Sequence, residues 1–233
     1  MFINPVKILN DIESLFFPDV CLACFNTMLT NEKTICTKCR HELPVTNYHL
    51  YKENPVKKVF YGRVPIQNAT ALLRYKNTGP VRNLIHQLKY KGQEEIGSFL
   101  GSWLGHELLK TEAYQAIDVI IPVPLHTKRL KQRGYNQVAK FGKQLALVLN
   151  AAYIDIVIYR TMHSDTQTFK TRLMRWQDKE AVFTSLNKEI LKDKHVLLVD
   201  DVITTGATLE ACANTIAAIP GVKISIATMA ITE

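Results

Sequence analysis

Short apolar runs alternate with amphipathic stretches along most of the chain. Residues 68–75 (NATALLRY), 116–125 (AIDVIIPVPL) and 194–200 (KHVLLVD) hold near-continuous apolar runs that stop at polar or proline punctuation, as buried strands do. Residues 153–160 (YIDIVIYR) and 222–231 (VKISIATMAI) read as two further strands. Between them, residues 80–92, 94–110, 134–150 and 206–219 repeat apolar positions at helical spacing. Pro80 after Thr78 and Gly79 marks a helix start, and Gly92 a break. Gly97, Gly101 and Gly105 recur every four residues along one of these helices, which implies close packing against a neighbour. Strands alternating with helices predict an α/β domain with a largely parallel sheet, in which ligands bind beyond the carboxyl ends of the strands. The loops after Ile121 and after Val199 fall at such ends.

Other stretches carry less pattern. Residues 46–66 are polar and aperiodic and read as a linker; residues 173–183 read as a short helix or a loop; the first 20 residues read as a short amphipathic helix. The expected division is 1–60, a small N-terminal unit with linker, and 61–233, the main domain.

Hydrophobic residues make up 47% of the chain and charged ones 21%, the balance of a soluble globular protein, and no apolar run reaches the roughly 18 residues of a membrane span. Asp11 and Glu13 stand where a signal peptide needs apolar residues, so the expected location is the cytoplasm, or the inner-membrane periphery through a partner. The net charge of +8 is concentrated: residues 61–150 hold 13 Lys and Arg against 5 acids. Such a field suits phosphates or nucleic acid. Arg74, Lys76, Arg82, Lys89 and Lys91, interleaved with Tyr75 and Tyr90, fit a groove for single-stranded DNA, or equally the polar face of a helix pair.

Four of the five cysteines form two C-x2-C pairs, Cys21/Cys24 and Cys36/Cys39, 11 residues apart. Two such turns complete a tetrahedral site for Zn²⁺, structural because four thiolates leave no open position. Two disulfides or an iron–sulfur cluster are the other readings. Few large apolar residues lie in the knuckle, so metal binding and folding are expected to be coupled there. Cys212, alone on a predicted helix, reads as a small buried hydrophobe.

The most informative string is HVLLVDDVITTGATLEAC, residues 195–212. Its strand delivers Asp200 and Asp201, after which Thr204, Thr205, Gly206, Ala207 and Thr208 lead into a helix whose positive N-terminus suits phosphate. Acids beside such a loop make sense if the ligand also brings hydroxyls or a bridging cation, and a ribose 5-phosphate meets both demands.

VLLVDDVITTGAT resembles the signature of type I phosphoribosyltransferases, which bind 5-phosphoribosyl-1-pyrophosphate (PRPP). With the four-cysteine knuckle, RNLIHQLKYKG, DVIIPVPLHTKRLKQRGYNQ and YRTMHSDTQTFKTRLMRWQDKEAVF, the chain is similar to the ComF/ComFC competence-protein family over most of its length. The resemblance implies a phosphoribosyltransferase-like domain behind a zinc knuckle, ribose hydroxyls on Asp200 and Asp201 with Mg²⁺ nearby, and the 5-phosphate on Thr204 to Thr208. It implies a pyrophosphate loop at Pro122 and Pro124, with Lys128, Arg129, Lys131 and Arg133 following, and a mobile closing loop with Gln167, Arg172 and Arg175. Gln177 and Asp178 stand where the family usually has an Asn, and Thr204 stands where purine-salvage enzymes carry an Asp, which argues against ordinary purine salvage.

The implied role is in natural transformation, through binding and uptake of single-stranded DNA. An active phosphoribosyltransferase on an unidentified acceptor, or a scaffold docking a helicase-like uptake protein through the knuckle, are the alternatives. His86, His126 and His163 are possible acids or bases, though isolated histidines are more often surface or core residues.

Overall fold

A computed structural model describes residues 17–160, 183–185 and 188–233 of the chain. Five parallel strands form the main sheet: β1 (Ala69–Tyr75), β2 (Val119–Pro122), β3 (Ala152–Tyr153), β6 (His195–Ile203) and β7 (Lys223–Thr232), in the order β1-β7-β6-β2-β3. β4 (Ile158–Arg160) and β5 (Phe183–Ser185) pair separately as a small antiparallel ribbon. The helices are α1 (Thr37–Glu42), α2 (Pro55–Lys58), α3 (Pro80–Tyr90), α4 (Glu95–Leu109), α5 (Glu112–Gln115), α6 (Thr127–Arg133), α7 (Ala139–Leu149) and α8 (Ala207–Ala217). Among the described residues no helix is long and apolar enough to cross a membrane.

The central strands are apolar on both faces because both are covered. Leu197 and Val199 face a core shared with α3, α4, α7 and the cysteine knuckle, while Val196 and Leu198 face a second core built on α8, Val56 and Phe60. This period-two division puts helices on either side of the sheet, as parallel pairing requires. The glycine stripe on α4 meets α7: a Cβ at Gly101 would lie 2.6 Å from the carbonyl oxygen of Phe141, and one at Gly105 would lie 2.9 Å from Val148.

Several expectations are corrected. Residues 153–160 do not form one strand; the chain bends at Asp155–Val157 between β3 and β4, where an acid interrupts the apolar run. The basic stretch after Pro124, expected as a loop, forms α6, closed by Gly134 in the left-handed conformation. β6 runs to Ile203, so both acids lie inside the strand: Asp200 pairs with Thr228, and Val202 and Ile203 continue onto Ala230 and Ile231. Residues 46–66 lie against the sheet. Asn54 Nδ2 donates to the carbonyl oxygens of Tyr48, Tyr51 and Ala69 at 3.2, 3.0 and 2.9 Å. Tyr48, Val56, Phe60 and Val64 are buried. The expected N-terminal helix falls largely in residues 1–16, outside the described residues.

Candidate functional site

The carboxyl ends of β2 and β6 open into a cavity of about 930 Å³. Asp200 and Asp201 of β6 line it together with Thr204 from the turn after β6, Thr208 from the first turn of α8, Pro124 from the loop after β2, Arg129 and Arg133 from α6, and Arg82 and Lys89 from α3. Four cationic side chains therefore surround two carboxylates, which gives the space a net attraction for polyanions.

The two acids are not equivalent. Asp201 is buried, and both of its oxygens are engaged: Lys89 Nζ donates to Oδ1 at 2.9 Å and Gln137 Nε2 to Oδ2 at 2.7 Å. Asp200 Oδ1 accepts from the Asp201 N–H at 2.8 Å. Burial and the neighbouring Asp201 charge push the Asp200 carboxyl up to about 8, against the opposing pull of the Asp201 N–H and Lys89.

Gly206 starts α8 at φ +76°, a conformation that L side chains rarely adopt, and a Cβ there would lie 2.5 Å from Val59 Cγ1. Gly206 brings no capping side chain, and Thr205 Oγ1 accepts from the Ala207 N–H at 3.5 Å; the other first-turn N–H groups put the positive end of this 11-residue helix beside the cavity. Arg63 Nη1 reaches the Thr205 carbonyl oxygen at 3.4 Å and pairs with Glu210 at 3.2 Å, bracing the turn.

Three successive residues clasp the site. The Tyr135 hydroxyl donates to the Leu88 carbonyl oxygen of α3, Asn136 Nδ2 donates to the Val123 carbonyl oxygen at 3.0 Å, and Gln137 holds Asp201. One tetrapeptide, GYNQ, thus fixes α3, the loop after β2 and the end of β6 relative to each other.

In the knuckle, the four Sγ atoms of Cys21, Cys24, Cys36 and Cys39 lie within 4.8 Å of one another, Cys24 and Cys36 at 3.8 Å. A tetrahedron with Zn–S of about 2.3 Å needs S–S separations near 3.8 Å, so the donor set fits Zn²⁺. Burial raises the Cys21 thiol, but N–H groups of Cys36, Cys24 and Ala23 outweigh it and bring the thiol down to about 7, whereas burial and the neighbouring cysteines push Cys39 up. The knuckle rests on the main domain: the Arg40 guanidinium lies 3.1 Å over the Trp103 ring of α4, and Asn83 Nδ2 of α3 donates to the Ala23 carbonyl oxygen at 2.8 Å.

Comparison with known proteins agrees with this architecture. A family model described as "Phosphoribosyl transferase domain" matches residues 139–230. The DNA utilization protein YhgH of Escherichia coli is 34% identical over 199 residues, covering 84% of this chain and 82% of that protein. This chain belongs to the ComF/ComFC competence-protein family. Competence protein F of Haemophilus influenzae is 34% identical over 134 residues (56% of this chain, 58% of that protein), and Competence protein ComFC of Streptococcus pneumoniae is 25% identical over 190 residues (80% and 70%).

Within this ComF-family fold the residues singled out from sequence separate into groups. Asp200, Asp201, Thr204, Thr208, Pro124, Arg129 and Arg133 share the cavity; Pro122 is buried in β2 opposite Val199, and Lys128 is exposed on α6 outside the lining. Thr205, Gly206 and Ala207 form the turn beside the cavity rather than its lining. Of the residues read as a nucleic-acid groove, Tyr75, Arg82, Lys89 and Tyr90 line the cavity, Lys76 and Lys91 are exposed next to lining residues in the chain, and Arg74 is paired with Glu233 and lies 5.3 Å over the Tyr48 ring. His86 lines the cavity, whereas His126 caps α6, accepting from the Lys128 N–H at 3.1 Å. Gln167, Arg172, Arg175 and His163 lie outside the described residues. Gln137 and Tyr135 were missed: they sit in the motif that carried the resemblance, but nothing local marks an amide or a phenol as a partner of an acid 64 residues later or of a helix 47 residues earlier.

Proposed function

We propose that this ComF-family protein holds PRPP in the cavity and acts in DNA handling during natural transformation by binding single-stranded DNA. The 5-phosphate rests on the start of α8 between Thr204 and Thr208, a ribose hydroxyl meets Asp200, and the diphosphate faces Arg129, Arg133 and Arg82. The supporting observation is the meeting, in one cavity, of the two adjacent acids of β6, the start of an 11-residue helix and a basic rim. Asp200 suits a divalent cation, because burial and the Asp201 charge both disfavour its lone ionised form. Mg²⁺ there supplies countercharge to the diphosphate. The DNA half of the proposal draws on the relatives, whose names tie them to DNA utilization and competence.

The test is thermal stabilisation of the zinc-loaded protein. PRPP with Mg²⁺ raises the melting temperature of the wild type and leaves that of Asp200→Asn/Asp201→Asn in place. Equal shifts in both proteins, or none in the wild type, overturn the donor site.

A further inference from the structure

The cationic residues that face the cavity are the same ones a polynucleotide would need, and its rim carries an aromatic platform. Tyr90, the last residue of α3, lines the mouth and is 67% exposed. Its ring is 5.1 Å from that of His86, and the Arg133 guanidinium lies 5.6 Å over it. The exposed ring, held between a guanidinium and an imidazole, offers a flat apolar surface at the cavity. A base stacked on Tyr90 covers that surface, and stacking of this kind is sequence-tolerant. Arg82, Arg129 and Arg133 line the same cavity from two helices, α3 and α6, and supply partners for the phosphates of a strand stacked there.

We infer that single-stranded DNA crosses the mouth of this cavity, with a base on Tyr90 and its phosphates on Arg82, Arg129 and Arg133, so that the strand and PRPP exclude each other. The inference rests on the reading of the cavity as the PRPP site and names where the strand lies. Its physical basis is shared cations: Arg129 and Arg133 cannot serve a diphosphate inside and a strand outside at once. The strand would then be held when the donor is scarce and released when it is abundant.

Fluorescence anisotropy of a labelled oligo-dT on the full, zinc-loaded chain tests this. With PRPP and Mg²⁺ at ten times their own dissociation constant, the apparent Kd of the strand rises about elevenfold, as simple competition requires. Tyr90→Ala weakens the strand by about 5- to 150-fold, the range of one lost stack, and Tyr90→Phe restores it. A ternary complex, an unchanged Kd in Tyr90→Ala, or no strand affinity in the wild type overturns the inference. Failure of PRPP to bind falls on the donor-site reading instead, and the tyrosine series then decides the strand's position.

Discussion

Lys89, near the end of α3, donates to Asp201 of β6 at 2.9 Å across 112 residues of sequence. The pair joins a helix of the basic middle third to the acid-bearing strand and neutralises one of the two carboxylates. Lys89→Met leaves Asp201 with Gln137 as its remaining side-chain partner. Removing one partner of a fully buried pair costs about 3–5 kcal/mol. Lys89 keeps 24% of its side chain exposed, so the expected loss is smaller, about 1–3 kcal/mol once water screening is allowed for. Urea denaturation measures it; an unchanged midpoint would contradict the assigned pair.

The turn at Gly206 gives a second prediction. Alanine there combines left-handed strain of about 1–2 kcal/mol with overpacking against Val59 and Phe60 of about 1–3 kcal/mol. Gly206→Ala is therefore destabilised and loses PRPP affinity, since the start of α8 shifts. A variant that folds and binds like the wild type would show that the turn is not fixed by Gly206.

Much of this was legible in the sequence, and the reason is locality. The strand, acids, turn and helix of residues 195–212 are contiguous, so patterning alone aligns them, and the C-x2-C pairs declare their site by spacing. What was not legible depends on tertiary placement. Arg82 and Lys89 read equally as a nucleic-acid groove or a polar helix face, and their place beside Asp200 and Asp201 emerges only when α3 is laid over the end of β6. Val59 and Phe60, in a stretch read as linker, prove to pack against Gly206. The pairing of Arg74 with Glu233 joins residues 159 apart, which no local pattern announces.

Metal removal bears on the knuckle's contact with the core. Chelation of zinc frees the four thiols and removes Arg40 from Trp103, which is 8% exposed. In a Trp176→Phe background the Trp103 emission shifts to the red on chelation and returns on adding Zn²⁺. Emission indifferent to zinc would mean that the Arg40–Trp103 contact forms without the metal.

Acid sensitivity follows from two buried rings. Burial, with help from Lys223 and against Asp118, holds His195 below its ordinary value of 6.5, and its Nε2 lies 2.8 Å from the Ser225 hydroxyl. Burial lowers His49 as well, with Glu107 opposing and Lys110 assisting. Below pH 6.5 the unfolded chain takes up protons that these folded rings refuse, so the rings' contribution to stability falls as pH falls, by up to about 1.4 kcal/mol per pH unit for each ring. Urea midpoints between pH 7 and 5 measure this slope, which is shallower in His195→Asn. The raised Asp200 carboxyl contributes in the opposite direction over this range, so the comparison with His195→Asn carries the test, and identical slopes in the two proteins would place His195 in water.

The central claim is that one cavity holds both ends of a phosphoribosyl diphosphate. Calorimetric titration of PRPP, ribose 5-phosphate and pyrophosphate, each with Mg²⁺, into the zinc-loaded protein tests it most directly. The account predicts one PRPP site per chain, with PRPP bound more tightly than either fragment because it reaches the start of α8 and the basic rim together. Pyrophosphate binding as tightly as PRPP, or no heat from PRPP at all, would contradict it.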